Sequence, residues 1–263
     1  MTAYLISRDA IIETLKKDLK PREYVRAAWL GGSDATGRTD QWSDVDLLLI
    51  VEDHAVEQTA DTVISALARL GPIAHRYRLP EPTPHGHLQE FISLRDADPC
   101  HLLDYVVMKR SSGGWFLEPE RHGDQLVLFD KDGLVKPAPF DWTAHKAKMM
   151  RRIEALREIF PLFQSFVLKA VFRGDLADAW YSYFACTLRP LVELARMRHC
   201  PDRFDYGFRY FDRDLPDAVR REIESLLLPR SLEGIGALRH RAEELFNRLL
   251  EEIDTNTGEE GAP

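Results

Sequence analysis

The sequence predicts an α+β protein: a mixed sheet flanked by helices, followed by an all-α helical bundle. Three observations predict it. Short apolar runs of strand length occur at Ala27–Leu30, Leu47–Val51, Leu88–Leu94 and Leu102–Met108. Two stretches have helical spacing, 8–19 ahead of the first run and 54–70 between the second and third. Beyond Pro137 and Pro139 the pattern turns helical from Trp142 onward. The expected division is a domain over 1–138, a helical bundle over 139–254 and a polar, disordered tail over 255–263 (TNTGEEGAP).

Each element has a local reason. In 8–19, Ile11, Ile12, Leu15 and Leu19 share one face, Ser7 or Asp9 can cap the start and Pro21 closes the end. Residues 24–30 form a first strand that ends in Gly31-Gly32-Ser33. Asp34 to Trp42 is polar and glycine-containing, hence a loop. Leu47–Val51 is purely aliphatic, as in a strand buried on both faces. In 54–70, Val56, Val63, Ile64, Leu67 and Leu70 point inward, and Gly71-Pro72 stops the helix. The segment 79–87 carries three prolines and is a loop; its His85 and His87, at i, i+2, can bind a metal or, the favoured reading, are surface residues near a site. Leu88–Leu94 and Leu102–Met108, joined by a turn-rich RDADPC, form a hairpin.

In the second half, HKAKMMRRIEALREIF is a helix ended by Pro161, and Leu162–Phe172 is another. A third runs from Asp175 to about His199. It is apolar on most sides, with a kink or break at Pro190 and an Arg189–Glu193 ion pair. Asp217–Leu228 and Leu232–Ile253 complete the bundle.

The composition narrows the function. The chain has 263 residues, 44% hydrophobic and 30% charged, with a net charge of −8. That charge argues against a dedicated nucleic-acid binder. Acidic residues outnumber basic ones 22 to 16 over residues 1–140 and 21 to 19 over 141–263, so the excess lies in the first half. Cys100, Cys186 and Cys200 are scattered, which fits free thiols better than disulfides or zinc. No apolar run reaches membrane length, and the N-terminus mixes charges into its apolar positions. A cytoplasmic protein with no membrane partner is expected.

The chemistry concentrates between the first two strands. Asp44 and Asp46 flank Val45, so both carboxylates lie on one strand face, about 7 Å apart. Two such acids repel each other. A hard cation relieves that cost, and Mg²⁺ binds one or two carboxylates together with substrate phosphates. Gly32 and Ser33 let backbone N–H groups approach an anion closely. Together the two strand ends can hold a metal–nucleoside triphosphate. Arg38 in the loop can touch the phosphates or stand exposed. Asp104, inside LLDYVVM, would be costly if buried alone; beside Asp44 and Asp46 it would complete a three-carboxylate metal site. Glu90 is the alternative third acid, or else a solvent-side residue of an alternating strand.

The pattern G-S-x10-D-x-D resembles the signature of the DNA polymerase β-like nucleotidyltransferase superfamily. The hairpin HLQEFISLRDADPCHLLDYVVMK, the stretch GDQLVLFDKDGLVKP and the helical FVLKAVFRGDLADAWYSYFACTLRPLVELARM are similar to aminoglycoside 6-adenylyltransferases (streptomycin adenylyltransferases). The resemblance covers most of 28–230 and is strongest in the three carboxylate strands; residues 200–216 have no clear counterpart. It implies that Asp104 is the third active-site carboxylate and that Lys169 contacts the triphosphate. It also implies that Leu128–Gly133 is a turn leading to the next domain, where Lys131 can approach a ligand.

The expected function is transfer of AMP from Mg²⁺-ATP, with one or two metals, to a hydroxyl of a small molecule such as an aminoglycoside. Pyrophosphate is released, and a role in antibiotic resistance is implied. Asp44, Asp46 and Asp104 would be catalytic and metal-binding; Gly32, Ser33, Arg38 and Lys169 would bind the nucleotide. Asp104 would complete the second metal site or accept the hydroxyl proton. The acceptor would sit between the domains. A protein-modifying adenylyltransferase of the antitoxin type and a catalytically inactive nucleotide-binding protein are the alternatives. The choice of ATP over other triphosphates and the oligomeric state are not readable from the sequence.

Overall fold

The computed structural model describes residues 4–259 and divides the chain into two compact units, Met1–Phe140 and Asp141–Pro263. The first unit holds a six-stranded mixed sheet and the second is all-helical.

In the first unit, α1 (Arg8–Leu19) is capped by Ser7, whose hydroxyl accepts from the Ala10 N–H at 3.1 Å. Then come β1 (Val25–Leu30), the single turn α2 (Gly32–Ala35), β2 (Val45–Val51), α3 (Val56–Leu70), β3 (Ile73–Arg78), β4 (Leu88–Leu94), β5 (Leu103–Lys109), the turn α4 (Pro119–His122) and β6 (Leu126–Asp130). The strand order is β3-β4-β5-β2-β1-β6. Only β2 and β5 run parallel; every other pair is antiparallel. One sheet face (Val45, Leu47, Leu49, Tyr105, Val107) packs with α1 and α3 in the main core. The opposite face (Ala27, Trp29, Ile50, Val106, Met108) is covered in part by Trp115, Phe116, Leu117 and Leu134–Val135. The aliphatic reading of β2 follows from this cover on both sides.

Two strands depart from the sequence reading. β3 has the sequence IAHRYR at the sheet edge, with most residues exposed, so it lacks an apolar signal. The stretch expected only as a turn includes the edge strand β6, paired with β1, before the chain turns at Asp130. There the Asp130 carboxylate accepts from the N–H groups of Asp132, Leu134 and Val135. Lys131 donates to the Arg22 carbonyl at 2.6 Å, which commits it to the turn. The start of the expected loop after Ser33 belongs to α2.

In the second unit, α5 (Trp142–Phe172) is one 31-residue helix that passes through Pro161. The proline does not end it, because Pro161 is exposed and water can replace the missing backbone donor. Next come α6 (Leu176–Tyr183), a π-helical segment (Phe184–Leu188) and α7 (Arg189–His199). The π turn has a cause in the sequence. Pro190 has no N–H to give to the Cys186 carbonyl four residues earlier. The ladder widens, with the Arg189 N–H reaching the Phe184 carbonyl, and buried Gln164 donates its side-chain N–H to the Cys186 carbonyl at 3.1 Å.

The chain ends with α8 (Phe211–Asp214), α9 (Asp217–Glu224) and α10 (Leu232–Glu259). α9 stops four residues short of expectation, and α10 continues through residues 255–259, which were expected as tail. Residues 260–263 of that tail lie outside the described residues. The segment 200–214 is organised by Arg196, which is fully buried. Its guanidinium donates to the carbonyls of Gly207, Arg203 and Arg209 and to the Asp214 carboxylate. Glu193 pairs not with Arg189 but with Arg152, which donates twice at 2.7 and 2.8 Å. Among the described residues no helix is long and apolar enough to cross a membrane.

Candidate active site

The register between β2 and β5 places the key pair. Asp46 and Asp104 are direct partners on these parallel neighbours, so their side chains leave the same sheet face from strands about 4.8 Å apart. Asp44 lies two residues before Asp46, just ahead of β2.

The glycine turn is pressed against this pair. The Gly31 N–H donates to the Asp46 carbonyl at 2.9 Å. Gly32 has φ +52°, and a Cβ there would fall 1.7 Å from Asp46 Oδ2. A side chain at 32 would therefore collide with the Asp46 carboxylate, apart from its backbone strain. Ser33 follows, and its Oγ is buried with no hydrogen-bond partner among the described residues. A buried hydroxyl without a partner costs stability unless a ligand satisfies it. Arg38 is exposed on the loop that follows, and its backbone N–H donates to the Ser33 carbonyl at 2.9 Å.

Two further residues fix this geometry, and the sequence reading missed both. Arg8, in the first turn of α1, donates from Nε to the Asp44 carbonyl at 2.9 Å. The same guanidinium pairs with Asp34 in α2, and both side chains are nearly buried. One arginine thus ties the glycine turn to the backbone at Asp44.

Asp104 is held from the β4 side. Gln89 donates its side-chain N–H to Asp104 Oδ1 at 2.7 Å. The Gln89 side-chain oxygen Oε1 lies 3.0 Å from His85 Nε2, and His85 Nδ1 accepts from the His87 backbone N–H at 3.2 Å. With Nδ1 accepting, the proton is on Nε2, and the imidazole donates to Gln89. His85 stacks on His87, and both pack edge-on against Phe116. His87 is not a surface residue: it is 8% exposed, and burial lowers its pKa. Strand alternation could have revealed Gln89, since it shares a β4 face with Phe91, the direct partner of Asp104.

Glu90 faces the other way and is fully buried. Arg76 donates to both of its oxygens at 2.9 and 3.0 Å, Arg78 donates from Nε at 2.5 Å and the Tyr105 hydroxyl donates at 2.7 Å. Burial pushes its pKa up, but Arg76, Tyr105 and Arg78 outweigh this and hold the carboxyl below its ordinary range. Glu90 is a structural acid, not solvent-facing, and its side chain leaves the sheet face opposite to that of Asp104.

A divalent ion is the group such a pair suggests. Two neighbouring carboxylates are a sufficient protein donor set for Mg²⁺ when phosphates complete its shell. Among the described residues no three His, Cys, Asp or Glu side chains form a cluster that could hold a metal alone. The residues therefore fit an ion shared with a phosphate ligand, and the unpartnered Ser33 Oγ belongs to the glycine turn that abuts Asp46. Lys169 belongs to the second unit, exposed on α5 with its ammonium 5.7 Å from the Phe166 ring centre.

Residues 12–83, which include β1, the glycine turn and β2, match the family model described as a nucleotidyltransferase domain. The first unit carries a nucleotidyltransferase domain. No curated protein matches the chain. Among solved structures, an aminoglycoside 6-adenyltransferase from Bacillus subtilis is 13% identical, covers 97% of this chain and 92% of its own, and has a TM-score of 0.36. A spectinomycin adenyltransferase from Enterococcus faecialis, solved with ATP and spectinomycin, is 12% identical over 93% of this chain and 99% of its own, at a TM-score of 0.37. A STING-associated c-di-GMP synthase from Capnocytophaga granulosa is 13% identical over 93% and 81%, at 0.31. Likenesses of this size say nothing about the substrate of the nucleotidyltransferase domain.

Proposed function

We propose that this nucleotidyltransferase moves AMP from ATP to a hydroxyl of a small molecule and releases pyrophosphate. The observation that carries the reading is the Asp46–Asp104 pair on parallel neighbouring strands, with Gly32 pressed on the Asp46 carboxylate. Asp46 and Asp104 would hold Mg²⁺ together with the triphosphate, with Asp44 two residues ahead of Asp46; the ion would neutralise charge on the triphosphate and orient it. The backbone of Gly31–Ser33 cradles the phosphates, and the Ser33 hydroxyl gains the partner it otherwise lacks. Arg38 is free to swing to the triphosphate from its exposed loop. Arg8 and Gln89 keep the two strand ends in register, which is the positioning that phosphoryl-transfer catalysis depends on.

In the reaction the acceptor oxygen bonds to the α-phosphorus. The bond from that phosphorus to the bridging oxygen of the β-phosphate breaks, and pyrophosphate leaves. The hydroxyl proton passes to a carboxylate oxygen of Asp104. Lys169 is assigned to the triphosphate on resemblance alone. The acceptor class, an aminoglycoside or a related drug, rests on the same resemblance, and with it a role in resistance.

Pyrophosphate release from Mg²⁺-ATP, measured with a panel of aminoglycosides, spectinomycin and lincosamides, tests this directly. Release should require one acceptor and should be lost in Asp44→Asn. Equal release from Asp44→Asn, or release independent of every acceptor, contradicts the assignment.

A further inference from the structure

The helical unit contains a cavity of about 630 Å³, within the roughly 300–1,000 Å³ range of small-molecule sites. Its wall is aromatic. The Phe184 and Phe208 rings stack with centres 5.9 Å apart and planes 18° apart, and Phe163 stands at the rim, 40% exposed. The π-helical segment supplies the backbone on this side, bringing Ala185 and Cys186 to the cavity. Single π turns inside helices recur at functional sites.

The charges at the cavity are unequal in their commitments. Glu193 is held bidentately by Arg152, and Asp205 accepts from Lys148 Nζ at 2.9 Å. Each acid is thus offset by its own base. Arg189 also lines the cavity, and its exposed guanidinium has no hydrogen bond or ion pair among the described residues. A polycation would meet no unbalanced carboxylate here, whereas an anion would meet an available arginine. Arginine binds carboxylates and phosphates through two parallel N–H groups, and stacked aromatic rings favour a flat partner.

We infer that this cavity binds a small planar organic anion, with its ring on Phe184 and Phe208 and its anionic group on Arg189. The site lies wholly within the second unit and does not depend on the nucleotide-transfer reading.

The test uses the full-length protein and the aromatic sulfonate 1-anilinonaphthalene-8-sulfonate. Its fluorescence should report one saturable site. Arg189→Gln should weaken binding at least fivefold, Arg189→Lys should recover part of the loss, and thermal midpoints should not change, because residue 189 is exposed. A second readout is site-resolved alkylation by iodoacetamide at alkaline pH, chosen because burial raises the Cys186 thiol pKa. Saturating probe should slow alkylation at Cys186 at least fivefold. Cys100, exposed in the first unit, should keep its rate. Displacement of the probe by AMP would identify a nucleotide as the occupant, and displacement by naphthoate alone a simple aromatic acid. Wild-type affinity in Arg189→Gln, or an unprotected Cys186, would overturn the inference.

Discussion

Glu90 and Asp104 sit on adjacent antiparallel strands and face opposite sides of one sheet. Glu90 is fully buried, with two arginines and a tyrosine donating to it. Asp104 is half-buried, accepts an amide N–H from Gln89 and stands beside a second carboxylate, Asp46. An acid surrounded by cations is stabilised by the fold; an acid placed beside another acid is repelled by it, a cost that a bound cation would relieve. The charge on the neighbouring side chains distinguishes these two carboxylates more clearly than burial does.

Substitutions can break or sharpen that contrast, beginning with the largest effect. Asp46→Asn should lower turnover by on the order of 10³-fold or more, the scale seen when a charge-stabilising group is lost from such a reaction. Its thermal midpoint should hold or rise slightly, since one of two repelling charges is gone. Glu90→Ala should do the opposite. It strands two guanidiniums and a buried hydroxyl at a cost of about 2–4 kcal/mol, somewhat below the usual cost of breaking a buried pair because both arginines reach solvent. Denaturant unfolding measures that loss, and activity per folded molecule should survive.

Gly32→Ala should reduce turnover by about 10²-fold, because its Cβ displaces the Asp46 carboxylate and misplacement of about 1 Å has that effect. Gln89→Ala should reduce it by roughly tenfold, the lower end for losing a residue that orients a ligand carboxylate. Gln89→Glu, which places a second acid against Asp104, should be worse than alanine.

The smallest effect is on pH dependence. The Glu90 carboxyl has a lowered pKa in the folded protein, so its contribution is complete above the ordinary glutamate pKa of about 4.3. It is lost as pH falls from there through the depressed folded value. Stability of Glu90→Gln should therefore fall less steeply over that acid range than stability of the wild type.

How much was legible follows from the type of signal each residue leaves. The aliphatic run Leu47–Val51, the Gly31–Ser33 turn and the two acids around Val45 are local patterns, and they locate β2 and the turn at its mouth. Asp104 stood out because an acid inside an apolar run is costly if buried alone, and the register sets it beside Asp46. Glu90 was misplaced because its partners Arg76 and Arg78 arrive on β3, and β3 is an edge strand without an apolar signal. Missing the strand meant missing the partners. Arg8 and Gln89 act across 36 and 15 residues of chain, where only strand register and helix docking bring partners together. The π turn was half legible: Pro190 announced a break, but the Gln164 side chain that repairs it comes from a different helix.

The central claim is that the first unit transfers the nucleotidyl group itself, at the α-phosphorus. Parallel reactions with ATP labelled at the α- or the γ-phosphate test it most directly, once an acceptor has been found. The account predicts α-label on the acceptor, γ-label in pyrophosphate and neither product with Asp46→Asn. Label from the γ-phosphate on the acceptor, or γ-label released as free phosphate with no α-label transferred, would contradict it.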